Sequence, residues 1–121
     1  MHVMAKFVAA SIIGILLYLM LGPAPTAEGS APGIDKLAHL IAFGTIAACA
    51  TVLIPRTPTV IVCGMALLLG GAVELIQGQI GRDASWLDFV FDGAGVAIYG
   101  LVVGPWTRSP FGKMMQLRAG R

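Results

Sequence analysis

Apolar residues occur along this chain in four long blocks, separated by short polar segments rich in proline and glycine. A helix rises about 1.5 Å per residue, so roughly 20 apolar residues are needed to cross the hydrocarbon core of a bilayer. Each block meets that length. The pattern predicts four membrane-spanning helices at about residues 4–22, 35–54, 59–80 and 86–106, followed by a tail at 107–121.

The segments between the blocks contain residues that stop helices. Pro23 and Pro25 follow the first block, Pro55 and Pro58 separate the second from the third, and Gly81 opens the break before the fourth. Proline lacks an amide hydrogen and glycine favours turns, so each is a helix boundary signal. Because the connections are short, neighbouring helices must reverse direction. We expect one all-α domain over residues 1–121, an up-down four-helix bundle without internal repeats.

The composition supports a membrane protein. The chain has 121 residues, of which 57% are hydrophobic and 12% charged, whereas soluble domains carry about 25% charged residues. Cys49 and Cys63 both lie inside apolar blocks, so we interpret them as packing residues. The first block also resembles a signal peptide, with Lys6 ahead of its apolar core. We expect it to remain as a helix, because no clear small-x-small cleavage site follows.

The lysines and arginines predict the orientation. Positive residues accumulate on the cytoplasmic side of membrane proteins. With the N-terminus inside, the outer side carries only Lys36 and Arg82, and the inner side carries the other six: Lys6, Arg56, Arg108, Lys113, Arg118 and Arg121. This count predicts that both termini are cytoplasmic. Positive charge concentrated near the C-terminus does not indicate nucleic-acid binding, which needs a broader basic patch.

Ionisable residues also occur inside the predicted helices. Asp35 and His39 are four residues apart and share a helix face, as do Asp88 and Asp92. An ionisable side chain facing lipid is costly, so such residues point into the bundle and pair with one another. The predicted topology places them within about two helical turns of the outer interface. We expect one ligand-binding site formed by Asp35, Lys36, His39, Glu74, Gln77, Arg82, Asp88 and Asp92.

Several of these residues also have a structural interpretation. His39 is a candidate catalytic base, or a structural histidine paired with a carboxylate. Asp35 and Lys36 form either part of the site or an interfacial pair. Arg82 is either an anion clamp or the partner of a neighbouring carboxylate. Glu74 is hardest to explain by packing, because a carboxylate inside a membrane span is rarely there for that purpose.

The charges of the predicted cluster limit its chemistry. Five carboxylates face Lys36, Arg82 and, when protonated, His39; they are Asp35, Glu74, Asp83, Asp88 and Asp92. If all met in one pocket, the negative excess would require bound protons or a cation. If Asp35 and Asp83 instead face water, the remaining charges nearly balance. We favour this second arrangement, a largely self-neutralised ion network.

Sequence motifs for known chemistries are absent. No Cys or His pair has zinc spacing, and there is neither a glycine-rich phosphate loop nor a Gly-x-Ser-x-Gly motif. One histidine among carboxylates without ordered spacing is only a weak indication of a divalent cation. Ser85 is a nucleophile only if His39 reaches it. We therefore predict no metal and no cofactor, and we take His39, Glu74 and Asp88 as the candidate catalytic residues.

The order of polar residues resembles that of the VanZ-like family of bacterial membrane proteins. The similarity covers about residues 35–100 and consists of Asp35-Lys36-x-x-His39, Glu74-x-x-Gln77, Arg82, Ser85-Trp86-x-Asp88 and Asp92-x-x-Gly95. The family usually carries Asn at the position of Asp92. It is named for a protein that lowers susceptibility to the glycopeptide antibiotic teicoplanin. The resemblance implies a multi-pass protein of the bacterial cytoplasmic membrane with a role in the cell envelope.

Three functions fit these observations. The leading expectation is a protein that binds a lipid-linked or anionic envelope component at the outer leaflet, with Lys36, His39 and Arg82 as contacts. The second is an enzyme acting on a lipid-linked precursor, with His39 and Glu74 or Asp88 as acid and base. The third is a small proton-coupled exporter, which the uneven charge distribution opposes. Lipids are the expected partners and nucleic acid is not; the sequence leaves the oligomeric state open.

Overall fold

The computed structural model describes residues 2–23, 33–82, 84–108, 114, 117 and 118. It contains four long helices: α1 (His2–Leu21), α2 (Ile34–Leu53), α3 (Thr59–Gln79) and α4 (Trp86–Arg108). The described residues contain no strands. The all-α prediction and the four helices are therefore confirmed, with each end within two residues of its predicted position. Most of the predicted tail, and Asp83, lie outside the described residues.

Contacts between helix ends show that consecutive helices run in opposite directions. His39, near the start of α2, meets Glu74 near the end of α3 and Asp92 near the start of α4. At the opposite end, the position of a Cβ on Gly104 of α4 lies 3.1 Å from the Thr59 side chain at the start of α3. The end of α1 reaches the end of α3 through a hydrogen bond from Gln77. These contacts give the up-down order.

The closest packing in the bundle is between α2 and α4, which form its most extensive interface. At Gly95 the two backbones nearly touch, because a Cβ built there would lie only 2.0 Å from the Leu40 carbonyl oxygen. Glycine is therefore required at this crossing. The buried apolar core lies around it and contains Phe43, Ile46, Ala47, Val73, Val96 and Tyr99.

The outer surface of the bundle is apolar. All four helices are long and apolar enough to cross a membrane. Of the 20 residues of α1, Ala9 and Met20 are buried, whereas large side chains such as Val3 and Phe7 are mostly exposed. Buried polar residues, in contrast, include His39 and Asp92. Apolar side chains thus cover the outside of the bundle, and ionisable side chains lie buried beside the apolar core, whereas a water-soluble bundle exposes most of its charged residues.

Candidate functional site

Four ionisable side chains from three helices meet at one end of the bundle. They are His39 of α2, Glu74 of α3, and Asp88 and Asp92 of α4, and we call them the polar cluster. The His39 ring lies at its centre: Nδ1 is 2.8 Å from Asp92 Oδ1 and 3.7 Å from Glu74 Oε1, and Nε2 is 4.0 Å from Asp88 Oδ2. His39, Asp88 and Asp92 are buried, and the Glu74 side chain is 11% exposed.

Asp92 orients the histidine. His39 Nδ1 and Asp92 Oδ1 are hydrogen-bonded at 2.8 Å, a bond that an ionised Asp92 accepts from the Nδ1–H tautomer of the ring. This interaction fixes the ring and leaves Nε2 directed at Asp88. The i, i+4 spacing of Asp88 and Asp92 on α4 places both carboxylates on the face that meets α2. The arrangement of a base oriented by a buried carboxylate is therefore present.

The turn between α3 and α4 positions Glu74. Gly81 has a φ of 77°, a left-handed conformation natural to glycine, and the Arg82 N–H bonds the Gln77 carbonyl at 3.0 Å. The turn continues to Ser85, which caps α4 by accepting a hydrogen bond from the Leu87 N–H. Its own backbone N–H donates to Glu74 Oε2 at 3.1 Å. Glu74 is thus held through Oε2, with Oε1 left facing His39.

Three buried carboxylate oxygens of the cluster accept no hydrogen bond from the described residues: Glu74 Oε1, Asp88 Oδ1 and Asp92 Oδ2. Each belongs to a different carboxylate. Buried polar atoms without partners are costly and need a physical explanation. The polar cluster therefore has capacity to bind more than its own side chains.

Lys36 lies at the edge of the cluster. Its Nζ is 3.5 Å from Asp88 Oδ1 and 3.1 Å from Asp35 Oδ2. The Asp35 side chain is 59% exposed, so Asp35 points away from the buried carboxylates. The structure thus brings Asp35 and Lys36 together as a pair at the start of α2, as one of the two sequence interpretations predicts.

Among the described residues, Gln77 and Arg82 form no hydrogen bond or ion pair with the polar cluster; their side chains cap α1 instead. Gln77 Nε2 donates to the Met20 carbonyl at 2.8 Å, and Arg82 Nη1 donates to the Gly22 carbonyl at 2.5 Å. The last carbonyls of a helix lack partners within that helix, so these bonds satisfy the end of α1. Within the part of the chain that the structure describes, Arg82 forms no ion pair with Glu74 or the α4 aspartates.

The expected charge balance is consequently incomplete. The balanced network predicted from the sequence includes Arg82, but the Arg82 guanidinium is bound to a backbone carbonyl. Among the described residues, only Lys36 and, when protonated, His39 contribute positive charge to the cluster. Three buried carboxylates exceed these two cations. Asp83, which the favoured arrangement predicts to face water, lies outside the described residues.

An apolar groove begins at the polar cluster. It has a volume of about 670 Å³, lies between α3 and α4, and has Glu74 and Ser85 as polar members of its lining. Its apolar walls include Leu67, Leu68, Gly71, Leu75, Trp86 and Phe89. Two other grooves, of about 320 and 590 Å³, are not lined by any residue of the cluster. The site therefore combines a buried acidic interior with an apolar entrance.

This groove was not predicted from the sequence. Its signal was the pair Gly71 and Ala72 between two leucines one turn away on either side, Leu68 and Leu75, because small residues between large ones leave a depression on a helix surface. The hydrogen bond between Thr51 and Tyr99, which joins α2 to α4 beyond the cluster, was not predicted either. Local spacing does not predict this bond, because its two residues lie on different helices.

No protein-family model, no curated protein and no solved structure matches the chain. The VanZ-like resemblance therefore stays a prediction that the residue pattern alone supports.

Proposed function

We propose that the protein is a multi-pass membrane protein of the bacterial cytoplasmic membrane that binds a lipid-linked component of the cell envelope. The observation that carries this proposal is that Glu74 and Ser85 belong both to the polar region around His39 and to the apolar groove between α3 and α4. A ligand with a long apolar chain and a polar head group needs these two surfaces side by side.

The apolar exterior supports insertion in a bilayer. Exposed side chains along α3 and α4 include Leu68, Leu75 and Leu101, each more than two-thirds exposed. Large exposed apolar surfaces on four helices of spanning length are typical of lipid contact. In this setting the groove opens sideways to the acyl chains, so that a lipid enters from the membrane.

Trp86 supports a position of the polar cluster near a membrane face. Its side chain is 76% exposed at the start of α4 and lines the groove. Tryptophan is enriched at the membrane–water interface. A bound lipid would then have its head group near Trp86 and Ser85 and its chain along Leu68 and Leu75. From the resemblance of the polar residues to the VanZ-like pattern, we further propose a role in the cell envelope that is connected with glycopeptide susceptibility.

Filling the groove is expected to prevent lipid binding. A Cβ on Gly71 would lie 3.7 Å from Phe89 Cε2, an ordinary contact, so a longer side chain there extends into the groove. We expect Gly71→Leu to reduce crosslinking of a photoreactive polyprenyl phosphate to the purified protein in nanodiscs by about 10-fold, the effect of about 1.4 kcal/mol. Crosslink yield by mass spectrometry is the measurement.

Gly64→Leu is the matched control for Gly71→Leu. Gly64 lies two turns earlier on the same face of α3, and nothing lies within 4 Å of its Cβ position. It does not line the groove, so its crosslink yield should equal that of the unmodified protein. Equal yields for both variants would show that the groove does not hold the lipid.

The charge count predicts which side each loop occupies. We expect Ala84→Cys, between α3 and α4, to react with a membrane-impermeant maleimide in intact cells. Arg56→Cys, between α2 and α3, should react only after the membrane is permeabilised. Both positions are exposed, so the difference reports the membrane side rather than burial. The opposite labelling pattern would reverse the proposed orientation, and labelling of both in intact cells would contradict a single topology.

A second function, an enzyme acting on a lipid-linked precursor, is favoured by the geometry of His39. The ring is oriented by Asp92, as a general base requires, and Glu74 lies between it and the groove. Turnover of a labelled lipid-linked precursor by the purified protein, lost in Glu74→Gln, would separate this function from binding alone.

A further inference from the structure

We propose that the polar cluster is a binding site for one divalent transition-metal cation, of the Mn²⁺ or Zn²⁺ type, with His39, Glu74 and Asp88 as ligands. One ligand atom from each of these residues lies within 4.8 Å of the other two. The proposal does not depend on lipid binding: Glu74 is the one proposed ligand that also lines the groove, and the ligand atoms lie in the interior of the bundle.

The second observation is the set of oxygens without hydrogen bonds. Asp88 and Asp92 are each more than nine-tenths buried, yet Asp88 Oδ1, Asp92 Oδ2 and Glu74 Oε1 accept no hydrogen bond from the described residues. Asp88 Oδ1 has the Lys36 ammonium 3.5 Å away as an ion-pair partner. Asp92 Oδ2 points towards α3, 3.0 Å from the Cβ position of Gly70, one turn before Glu74. Glu74 Oε1 and Asp88 Oδ2 face the His39 ring, 3.7 Å from Nδ1 and 4.0 Å from Nε2. Carboxylate oxygens beside an imidazole nitrogen form a donor set suited to a cation.

The neighbouring hydrogen bonds orient the ligands as in known metal sites. Histidine ligands usually donate their second ring N–H to a carboxylate, which fixes the tautomer and directs the free nitrogen to the metal. His39 does this through Nδ1 to Asp92, which leaves Nε2 4.0 Å from Asp88 Oδ2. Glu74 Oε1 lies 3.7 Å from Nδ1, so the Glu74 side chain must turn towards Nε2 to share the ion. Glu74 is held in a similar way by the Ser85 N–H on Oε2. Asp92 and Ser85 are therefore positioning residues in this site.

Charge and distance both fit a divalent ion. With His39 neutral, the three carboxylates and the Lys36 ammonium leave two negative charges, which one divalent cation balances. Zinc ligands at tetrahedral positions lie about 3.4 Å apart, so ligand atoms separated by up to 4.8 Å need to close by up to about 1.4 Å. One imidazole nitrogen among carboxylate oxygens favours Mn²⁺ or Zn²⁺ over Mg²⁺ and Ca²⁺, which prefer oxygen alone.

Metal binding by the full chain, purified without a polyhistidine tag and placed in nanodiscs, tests the proposal. After equilibration with Mn²⁺ or Zn²⁺, elemental analysis should find one metal ion per chain. The Mn²⁺-loaded protein should show nitrogen coupling from one histidine by pulsed electron paramagnetic resonance. Glu74→Gln and Asp88→Asn should each weaken binding at least 10-fold, and Asp92→Asn about 10-fold, as expected for a residue behind a ligand.

Asp35→Asn is the matched control, because it removes one carboxylate from the same end of the bundle while the side chain is 59% exposed and pairs with Lys36. It should bind metal like the unmodified chain, and so should Gly71→Leu, which separates failure of this site from failure of the lipid groove. Three results would each overturn the proposal: less than one metal ion per unmodified chain, no nitrogen coupling, or equal metal affinity in Asp35→Asn and Asp88→Asn. These results do not require Glu74→Gln to fold.

Discussion

Gly95→Ala is expected to destabilise the protein by about 3 kcal/mol or more, at the upper end of the cost of overpacking a core. The added methyl group would lie 2.0 Å from the Leu40 carbonyl oxygen, 2.9 Å from the Leu40 carbonyl carbon and 3.1 Å from the Gly44 nitrogen. All three atoms are backbone, so no side-chain rotation can relieve the overlap. The two helices must move apart, and the contact between α2 and α4 is the most extensive in the bundle.

The same substitution should disturb the polar cluster. His39 immediately precedes Leu40 on α2, and Asp92 lies three residues before Gly95 on α4, so a separation of the helices lengthens the His39–Asp92 hydrogen bond. Thermal unfolding in detergent, followed by circular dichroism, measures the loss of stability.

Gly64→Ala is the control, because nothing lies within 4 Å of its Cβ position. Alanine is favoured over glycine inside a helix by about 0.5–1 kcal/mol, so the control should be neutral or slightly stabilising. If the two variants unfold at the same temperature, the close crossing at Gly95 does not hold α2 against α4.

The four helices could be predicted because their signal is local. Each apolar block is long, and each break contains proline or glycine, so the boundaries follow from neighbouring residues alone. The pairing of helices could not be predicted in the same way. The α2–α4 crossing depends on Gly95 meeting Leu40, and these residues are far apart in the sequence.

The core of the site could also be predicted, whereas its edge could not. His39, Glu74, Asp88 and Asp92 are expected to converge because each would be costly if it faced lipid. Arg82 has a long side chain near a helix end, where backbone carbonyls compete with carboxylates for its donors. The position of α1 determines which acceptor Arg82 binds, because it places the Gly22 carbonyl oxygen 2.5 Å from Arg82 Nη1.

His39→Ala is expected to destabilise the protein by about 3–5 kcal/mol, the cost of removing one partner from a buried ionic group. The ring lies among three carboxylates, 2.8 Å from Asp92, 3.7 Å from Glu74 and 4.0 Å from Asp88. When the ring is removed, the three carboxylates repel one another, and among the described residues the Lys36 ammonium at the edge of the cluster is the cation left to offset that repulsion. His2→Ala is the control, because His2 is exposed near the start of α1 and its replacement should change stability little.

Asp92→Asn distinguishes lost charge from lost packing in the His39→Ala variant. Alone, it should cost little, because the amide oxygen of asparagine still accepts the hydrogen bond from His39 Nδ1. Combined with His39→Ala, it removes one buried negative charge, so the double variant should be more stable than His39→Ala by about 1–3 kcal/mol. Unfolding free energies of the four proteins in this cycle measure the coupling. If the double variant is no more stable than His39→Ala, the cavity left by the ring accounts for the lost stability. If the double variant regains stability, the excess of buried carboxylates accounts for the loss. A bound cation would neutralise that excess.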